Sequence, residues 1–160
     1  MNDGYTVTSA YTAVKDPVKT KFYYRDQLWA GADLLGMGVA SFSHVGGVHF
    51  QNQHNFDPYM EKLQAGELPI YRALTPTRDE RIIRELILQF KLGYVKPRYF
   101  QEKFGIHIRE MFAKGLAKIN ETGFLTDDGD ELRLSIDGML HADRLVHEFF
   151  LPQHKDARYA

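Results

Sequence analysis

The sequence contains no cysteine. As properties of these 160 residues alone, thiolate nucleophiles, disulfides, thiolate zinc sites and cysteine-ligated iron–sulfur clusters are excluded. An excess of one charge is missing too: 20 Lys and Arg face 21 Asp and Glu. A protein that neutralises many phosphates usually carries a basic surplus, so the bulk numbers disfavour nucleic acid. No apolar run reaches bilayer-spanning length, and Met1 to Ala10 combine neither a basic region nor a long apolar stretch. No membrane partner and a cytoplasmic location are the expectations. The remaining composition, 44% apolar and 26% charged, is that of a globular chain of one ordinary domain or two small ones.

The pattern changes near Leu74–Thr77, where Pro69 and Pro76 bracket a polar connection, and divides the chain into segments 1–74 and 75–160. The first holds most of the glycines and two β-like apolar stretches, Tyr5 to Tyr11 and Leu34 to Phe42, both expected as short buried strands. Glycines 36, 38, 46 and 47 imply tight turns or close backbone approach. Phe56 to Ala65 reads as a helix capped by Asn55 and stopped by Gly66.

In the second segment the period becomes helical. Thr77-Arg78-Asp79-Glu80 is a capping box, followed by Ile82, Ile83, Leu86, Ile87 and Phe90 on one helix face. A helix from Pro97 to Gly105 and another from Ile106 to Glu121, ended by Gly123, are expected next. Ile108, Met111, Phe112, Leu116 and Ile119 are its inward residues. Asp127-Asp128-Gly129-Asp130 between two short apolar runs is a hairpin signal, and a last helix is expected from Ile136 to Phe150, closed by Pro152. Helices, a two-stranded wing and a closing helix make a winged-helix-like arrangement, so the fold class expected for the chain is α+β.

Chemistry-bearing motifs are few. His44, His49 and His54 recur at intervals of five, a spacing that neither a helix nor a single strand turns into one metal-binding face. Polar histidines in a glycine-rich hairpin are the preferred reading, with no metal ligand assigned. Asp79, Glu80 and Glu85 are explained by capping and the helix dipole. A winged helix raises nucleic-acid binding as an alternative. However, Thr77 to Ala160 holds 14 basic and 14 acidic residues, and Asp127, Asp128, Asp130 and Glu131 crowd the wing tip, where they would repel phosphate.

From Trp29-Ala30-Gly31-Ala32-Asp33-Leu34-Leu35-Gly36-Met37-Gly38 through Val39-Ala40-Ser41-Phe42-Ser43, the sequence resembles the oxygen-independent coproporphyrinogen III oxidase-like radical SAM family. The resemblance continues through His49-Phe50-Gln51-Asn52, the helix with Tyr59, the Leu74 to Glu80 junction and the Gly123-Phe124-Leu125 wing. It implies that residues 1–74 end a radical SAM-type barrel and that 75–160 form the winged-helix-like carboxy-terminal domain. Family members hold a 4Fe-4S cluster through Cys-x3-Cys-x2-Cys, which is absent here. The resemblance therefore implies the substrate-side, carboxy-terminal part of a coproporphyrinogen dehydrogenase-like oxidoreductase of haem metabolism. Such a part is expected to be inactive alone and to bind neither cluster nor S-adenosylmethionine unaided.

The resemblance assigns Gly36, Gly38, Val39 and Phe42 to the cofactor side and Tyr23, Tyr24 and Trp29 to the substrate side. Phe42 stands where the oxidase branch has Ile and a haem-chaperone branch has His. Tyr23 and Tyr24 fall on a Phe-Gln pair of the oxidase branch, and Trp29 falls on a Tyr-Trp pattern of the chaperone branch. A haem-binding or haem-trafficking relative is accordingly a second reading. The implied partners are an amino-terminal barrel segment, if separately encoded, and a tetrapyrrole whose propionates would meet Lys15, Lys19, Lys21 and Arg25. Trp29, Leu34, Leu35, Val39 and Phe42 are expected to form an apolar surface, which with unpaired barrel edges favours a homo-oligomer.

Overall fold

A computed structural model describes residues 3–155. In chain order its elements are β1 (Thr6–Ser9), β2 (Thr12–Val14), α1 (Tyr23–Trp29), β3 (Phe42–Val45), β4 (Val48–Asn52), α2 (Phe56–Gln64), β5 (Ile70–Leu74) and α3 (Arg78–Lys91). There follow β6 (Tyr94–Val95), α4 (Pro97–Phe104), α5 (Ile108–Met111), α6 (Ala113–Glu121), β7 (Leu125–Asp127), β8 (Leu132–Leu134), α7 (Ile136–Leu140) and α8 (Ala142–Val146). Two 3-10 turns, His147–Phe149 and Pro152–His154, close the described chain. Contacts group residues 3–30 with 82–155 as one compact unit and 31–81 as another. This grouping differs from the sequence division after residue 74, and the ends of both sequence segments lie outside the described residues.

In the first unit the core is built on α3. The expected capping box starts that helix: the Thr77 amide donates to Glu80 Oε2 at 2.8 Å and the Glu80 amide to Thr77 Oγ1 at 3.3 Å. Ile82, Leu86 and Phe90 then recur on one stripe and are completely buried. Pro97 opens α4 without losing a needed donor, and Gly105 at φ +65° ends it. The single helix expected over 106–121 is broken at Phe112, whose φ of −111° turns that ring edge-on to Phe149 at 5.6 Å. Met111, expected inward, is left exposed by that break.

The helix expected over 136–150 likewise breaks into α7, α8 and the first 3-10 turn, and Pro152 opens the second turn rather than closing a helix. Ser135 caps α7, its Oγ accepting from the Gly138 amide at 3.0 Å. Gly115 is required where α6 meets the first turn, since a Cβ there would stand 2.7 Å from the Phe149 ring. The expected hairpin β7–β8 is present with Gly129 at φ +95°, and β6 adds to it antiparallel in the order β6-β8-β7.

Residues 3–30 join this unit through polar bonds. β1 and β2 form an antiparallel hairpin, and the strand expected over Tyr5 to Tyr11 is its first arm, shortened to four residues. Ala10 N donates to Lys91 O at 2.9 Å, and Tyr11 Oη donates to Asp143 Oδ1 at 2.5 Å. Lys91 Nζ stands 3.2 Å from the same carboxylate oxygen.

The second unit contains a three-stranded antiparallel sheet, order β3-β4-β5. Gly46 and Gly47, both with positive φ, make the β3–β4 turn. The stretch Leu34 to Phe42, expected as a buried strand, is a loop: Leu34 makes an isolated bridge to His44, and pairing resumes only at Phe42. The physical reason lies in the loop's own contacts, described below. α2 matches its expected span and Gly66 stops it at φ +73°, but Asn55 makes no side-chain cap bond. The buried residues of 31–81 are Ser43, His44, Gly47, Asn52 and Pro69.

Candidate functional site

The loop between Leu34 and Phe42 is held from within by polar groups. Asn52, 4% exposed at the end of β4, donates from Nδ2 to Gly36 O and to Gly38 O, each at 3.0 Å. Both amide hydrogens are thereby used. Ser43, fully buried, accepts the Gly36 amide at 3.0 Å. Ser41 Oγ accepts the Gly38 amide at 3.1 Å, and Ala40 N donates to Gln53 O at 2.8 Å. From α2, Tyr59 Oη donates to Met37 O at 2.5 Å.

These bonds coil the segment too tightly for a strand. A Cβ on Gly36 would stand 2.5 Å from Phe42 O and 2.7 Å from Ser41 Cβ, so no other residue fits there. Ala40 takes φ +60°, the left-handed region that an L residue enters at a cost. With its polar atoms satisfied inward, the loop presents Leu35, Met37, Val39 and Phe42 outward, 64%, 80%, 36% and 47% exposed. Of the expected apolar surface, Leu35, Val39 and Phe42 are thus exposed and Leu34 is half-buried.

Gly36, Gly38, Val39 and Phe42 therefore share one loop. The close approach expected at Gly36 is present, and it is to the loop's own residues Ser41 and Phe42. Phe42 also stacks on His49 across the β3–β4 pair, ring centroids 5.6 Å apart. His44 and His49 are directly paired in register, rings 6.2 Å apart, because the hairpin folds the five-residue interval back on itself. His54 packs instead against Tyr71 at 4.7 Å. Among the described residues no group of three or more His, Asp or Glu side chains converges as metal ligands.

Tyr23, Tyr24 and Trp29, expected on the substrate side, lie in the other unit, on α1, a helix the sequence pattern did not reveal. Tyr23 and Tyr24 are 73% and 69% exposed. Trp29 is half-buried, edge-on to Tyr11 at 5.8 Å, with the Arg25 guanidinium over its ring at 5.5 Å. Arg25 is not available to a propionate: it binds Asp26 Oδ1 through Nε and Nη2 at 2.9 and 2.6 Å, and Ser9 and Thr12 through Nη1. Lys15, Lys19 and Lys21 stay on the surface.

Two polar clusters escaped sequence reasoning. Glu85, read there as part of a helix start, is 4% exposed and accepts from Tyr99 Oη at 2.6 Å and from Lys103 Nζ at 2.9 Å. Burial and the carboxylate beside it push the Tyr99 hydroxyl far above its ordinary pKa, so it stays a donor. At the β7–β8 hairpin, Arg109 grips Asp127 bidentately at 2.7 and 2.6 Å and also donates to Gly129 O at 2.9 Å. That hydrogen bond holds the Asp127 pKa below the usual carboxylate value. Part of the acidic tip is thus neutralised internally.

The HemN C-terminal domain family model matches residues 77–141. That segment, about two fifths of the chain, is similar to the family. The chain is 34% identical over 88 residues to the oxygen-independent coproporphyrinogen III oxidase of Salmonella typhimurium, covering 52% of this chain and 19% of that protein. The Pseudomonas aeruginosa enzyme of the same name is 30% identical over 115 residues, covering 68% of this chain and 24% of that protein. The chain therefore spans about a fifth to a quarter of the length of these curated relatives. A solved structure described as "Coproporphyrinogen III oxidase (HemN) from Escherichia coli is a Radical SAM enzyme" aligns at TM-score 0.69 and 20% identity, covering 91% of this chain and 37% of that one. The fold, mixed helices and small sheets, is thus shared with part of that structure.

One group implied by the similarity does not fit these residues. An iron–sulfur cluster needs thiolates, and this chain has none, so any cluster ligands must come from outside these residues. The exposed Met37, Val39 and Phe42 side chains lie instead on a loop whose Gly36, Met37 and Gly38 carbonyls already accept hydrogen bonds.

Proposed function

We propose that this chain is the carboxy-terminal, substrate-side part of a coproporphyrinogen dehydrogenase-like radical SAM oxidoreductase of tetrapyrrole metabolism, acting in the cytoplasm. The similarity to coproporphyrinogen III oxidases over 68% of the chain carries this reading. In it, residues 1–74 end the barrel and residues 75–160 are the winged-helix-like domain, with β7–β8 as the wing. Gly36, Gly38, Val39 and Phe42 face cofactor and substrate, while Tyr23, Tyr24 and Trp29 meet the tetrapyrrole ring and Lys15, Lys19 and Lys21 its propionates. The partner that completes the site is an amino-terminal barrel segment, which also brings the cluster. When bound, the cluster and S-adenosylmethionine supply the radical chemistry. This chain's residues bind and orient the ring. The exposed apolar side chains of 31–81 favour that partner, because so much apolar surface is rarely left in water. Without the segment, self-association is the expected substitute.

The test is a fluorescence titration of the chain with coproporphyrin III at low and high salt, together with anaerobic reconstitution. Saturable porphyrin binding, no stoichiometric four-iron cluster, and cleavage of S-adenosylmethionine only when an amino-terminal barrel segment is added are the expected results. A cluster and 5′-deoxyadenosine from the chain alone would end this reading.

A further inference from the structure

The outward side chains of Met37, Val39 and Phe42 stand on a loop held chiefly by polar groups. The buried residues of the 31–81 unit are polar or small, Pro69 apart, so the loop's shape rests on hydrogen bonds. One side chain, Asn52, reaches two alternate carbonyls of the loop at once, at Gly36 and Gly38. Its own amide also donates to Ser41 O at 2.9 Å, so a single residue ties the loop at three points. Those points bracket Met37, Val39 and the left-handed Ala40.

We propose that Asn52 is the positioning residue of the ligand platform: it fixes the Gly36–Ser41 backbone so that Met37, Val39 and Phe42 meet a tetrapyrrole macrocycle without reorganising. The inference rests on the reading above, that this loop faces the tetrapyrrole. Neither an acid nor an alkyl group can replace the amide. Asn52→Asp keeps the shape but sets a carboxylate oxygen against two carbonyl oxygens at the same 3.0 Å separations. Asn52→Leu leaves both carbonyls unpaired. Ser43 completes the clamp from β3 by taking the Gly36 amide.

Two measurements on the full chain test this. Amide hydrogen exchange at Gly36, Gly38, Ala40 and Ser41 is expected to quicken about tenfold or more in Asn52→Asp, with α3 and α6 unchanged. Coproporphyrin III affinity is expected to fall by roughly tenfold while the thermal midpoint of the unit around α3 stays constant, a split that a general loss of stability does not produce. Ser43→Ala, a milder change, is expected to move both quantities in the same direction by less. If wild type binds porphyrin and the Asn52 and Ser43 variants bind it equally well, the positioning role is overturned and the functional reading stands. If wild type binds no porphyrin, the functional reading fails and the positioning role with it. Unaltered exchange in Asn52→Asp overturns the clamp whatever the binding result.

Discussion

The two compact units hold themselves together by opposite means. Around α3, Phe90 lies stacked on Phe149 at 5.3 Å inside a cluster of buried aliphatic and aromatic residues that runs from Ile82 to Phe149. In 31–81 the buried side chains are Ser43, His44, Asn52 and Pro69, while Leu35, Met37, Phe56, Leu68 and Leu74 are exposed. Burial of apolar area is the main favourable term in folding. The first unit uses that term on itself. The second leaves it unspent, as a surface intended for another molecule would, and keeps its loop in shape with directional hydrogen bonds.

Core truncation gives the largest contrast. Phe90→Ala is expected to destabilise the chain by about 3–5 kcal/mol in urea unfolding, whereas Phe42→Ala is expected to cost less than about 0.5 kcal/mol. Comparable losses at the two positions would mean that 31–81 has a core after all. Next comes the buried carboxylate. Glu85→Gln is expected to cost about 1.5–3 kcal/mol, since Lys103 and Tyr99 lose a charged acceptor, and the near-ultraviolet signal of Tyr99 should change with it.

Smaller effects sharpen the comparison at its polar joints. Thr77→Ala removes half of the capping box and is expected to cost about 1 kcal/mol by thermal unfolding. Tyr11→Phe removes the bond to Asp143 and is expected to cost about 0.5–1 kcal/mol near neutral pH.

Its pH dependence has a definite sign. Burial opposes the Asp143 carboxylate, but hydrogen bonds from Tyr11 and Lys91 outweigh it and hold its pKa below the ordinary value. Burial and the bond to Asp143 raise the Tyr11 pKa, and bonds to Tyr11 and Asp143 raise that of Lys91 against its burial. The lowered acid contributes stability above the unfolded carboxylate pKa and loses it as pH falls through the folded value. The raised groups contribute below their ordinary values and lose it as pH climbs through the raised ones. The difference between Tyr11→Phe and wild type should therefore be flat between roughly pH 5 and pH 9 and shrink at both ends.

Where local pattern and tertiary packing agreed, the sequence was readable. Thr77 and Glu80, the stripe from Ile82 to Phe90, Gly105, Gly129 and the wing strands all carry their instructions within a few residues. The Leu34 to Phe42 stretch misled because its apolar composition suits a strand, while Asn52, ten residues beyond, imposes a coil. The breaks at Phe112 and His141 come from ring packing against the 3-10 turn and against Phe124, contacts made far along the chain. α1 was missed because nothing in Tyr23 to Trp29 repeats at helical spacing. Of the candidate site, the close backbone approach at Gly36 was legible in its glycines, whereas the bonds from Asn52 come from a residue 16 positions further along the chain and leave no local pattern.

The joint between Tyr11 and Asp143 spans 132 residues of sequence. During synthesis at about 5–20 residues per second, the β1–β2 hairpin leaves the ribosome roughly ten seconds before its carboxylate partner exists. For that interval the hairpin is a lone pair of strands with Tyr11 unanchored, and two strands alone are marginal in water. Residues 31–81 emerge in the same interval with their apolar side chains uncovered. The order of emergence thus leaves the amino-terminal hairpin unfastened until α8 is made, whereas the apolar side chains of 31–81 stay uncovered in the finished fold.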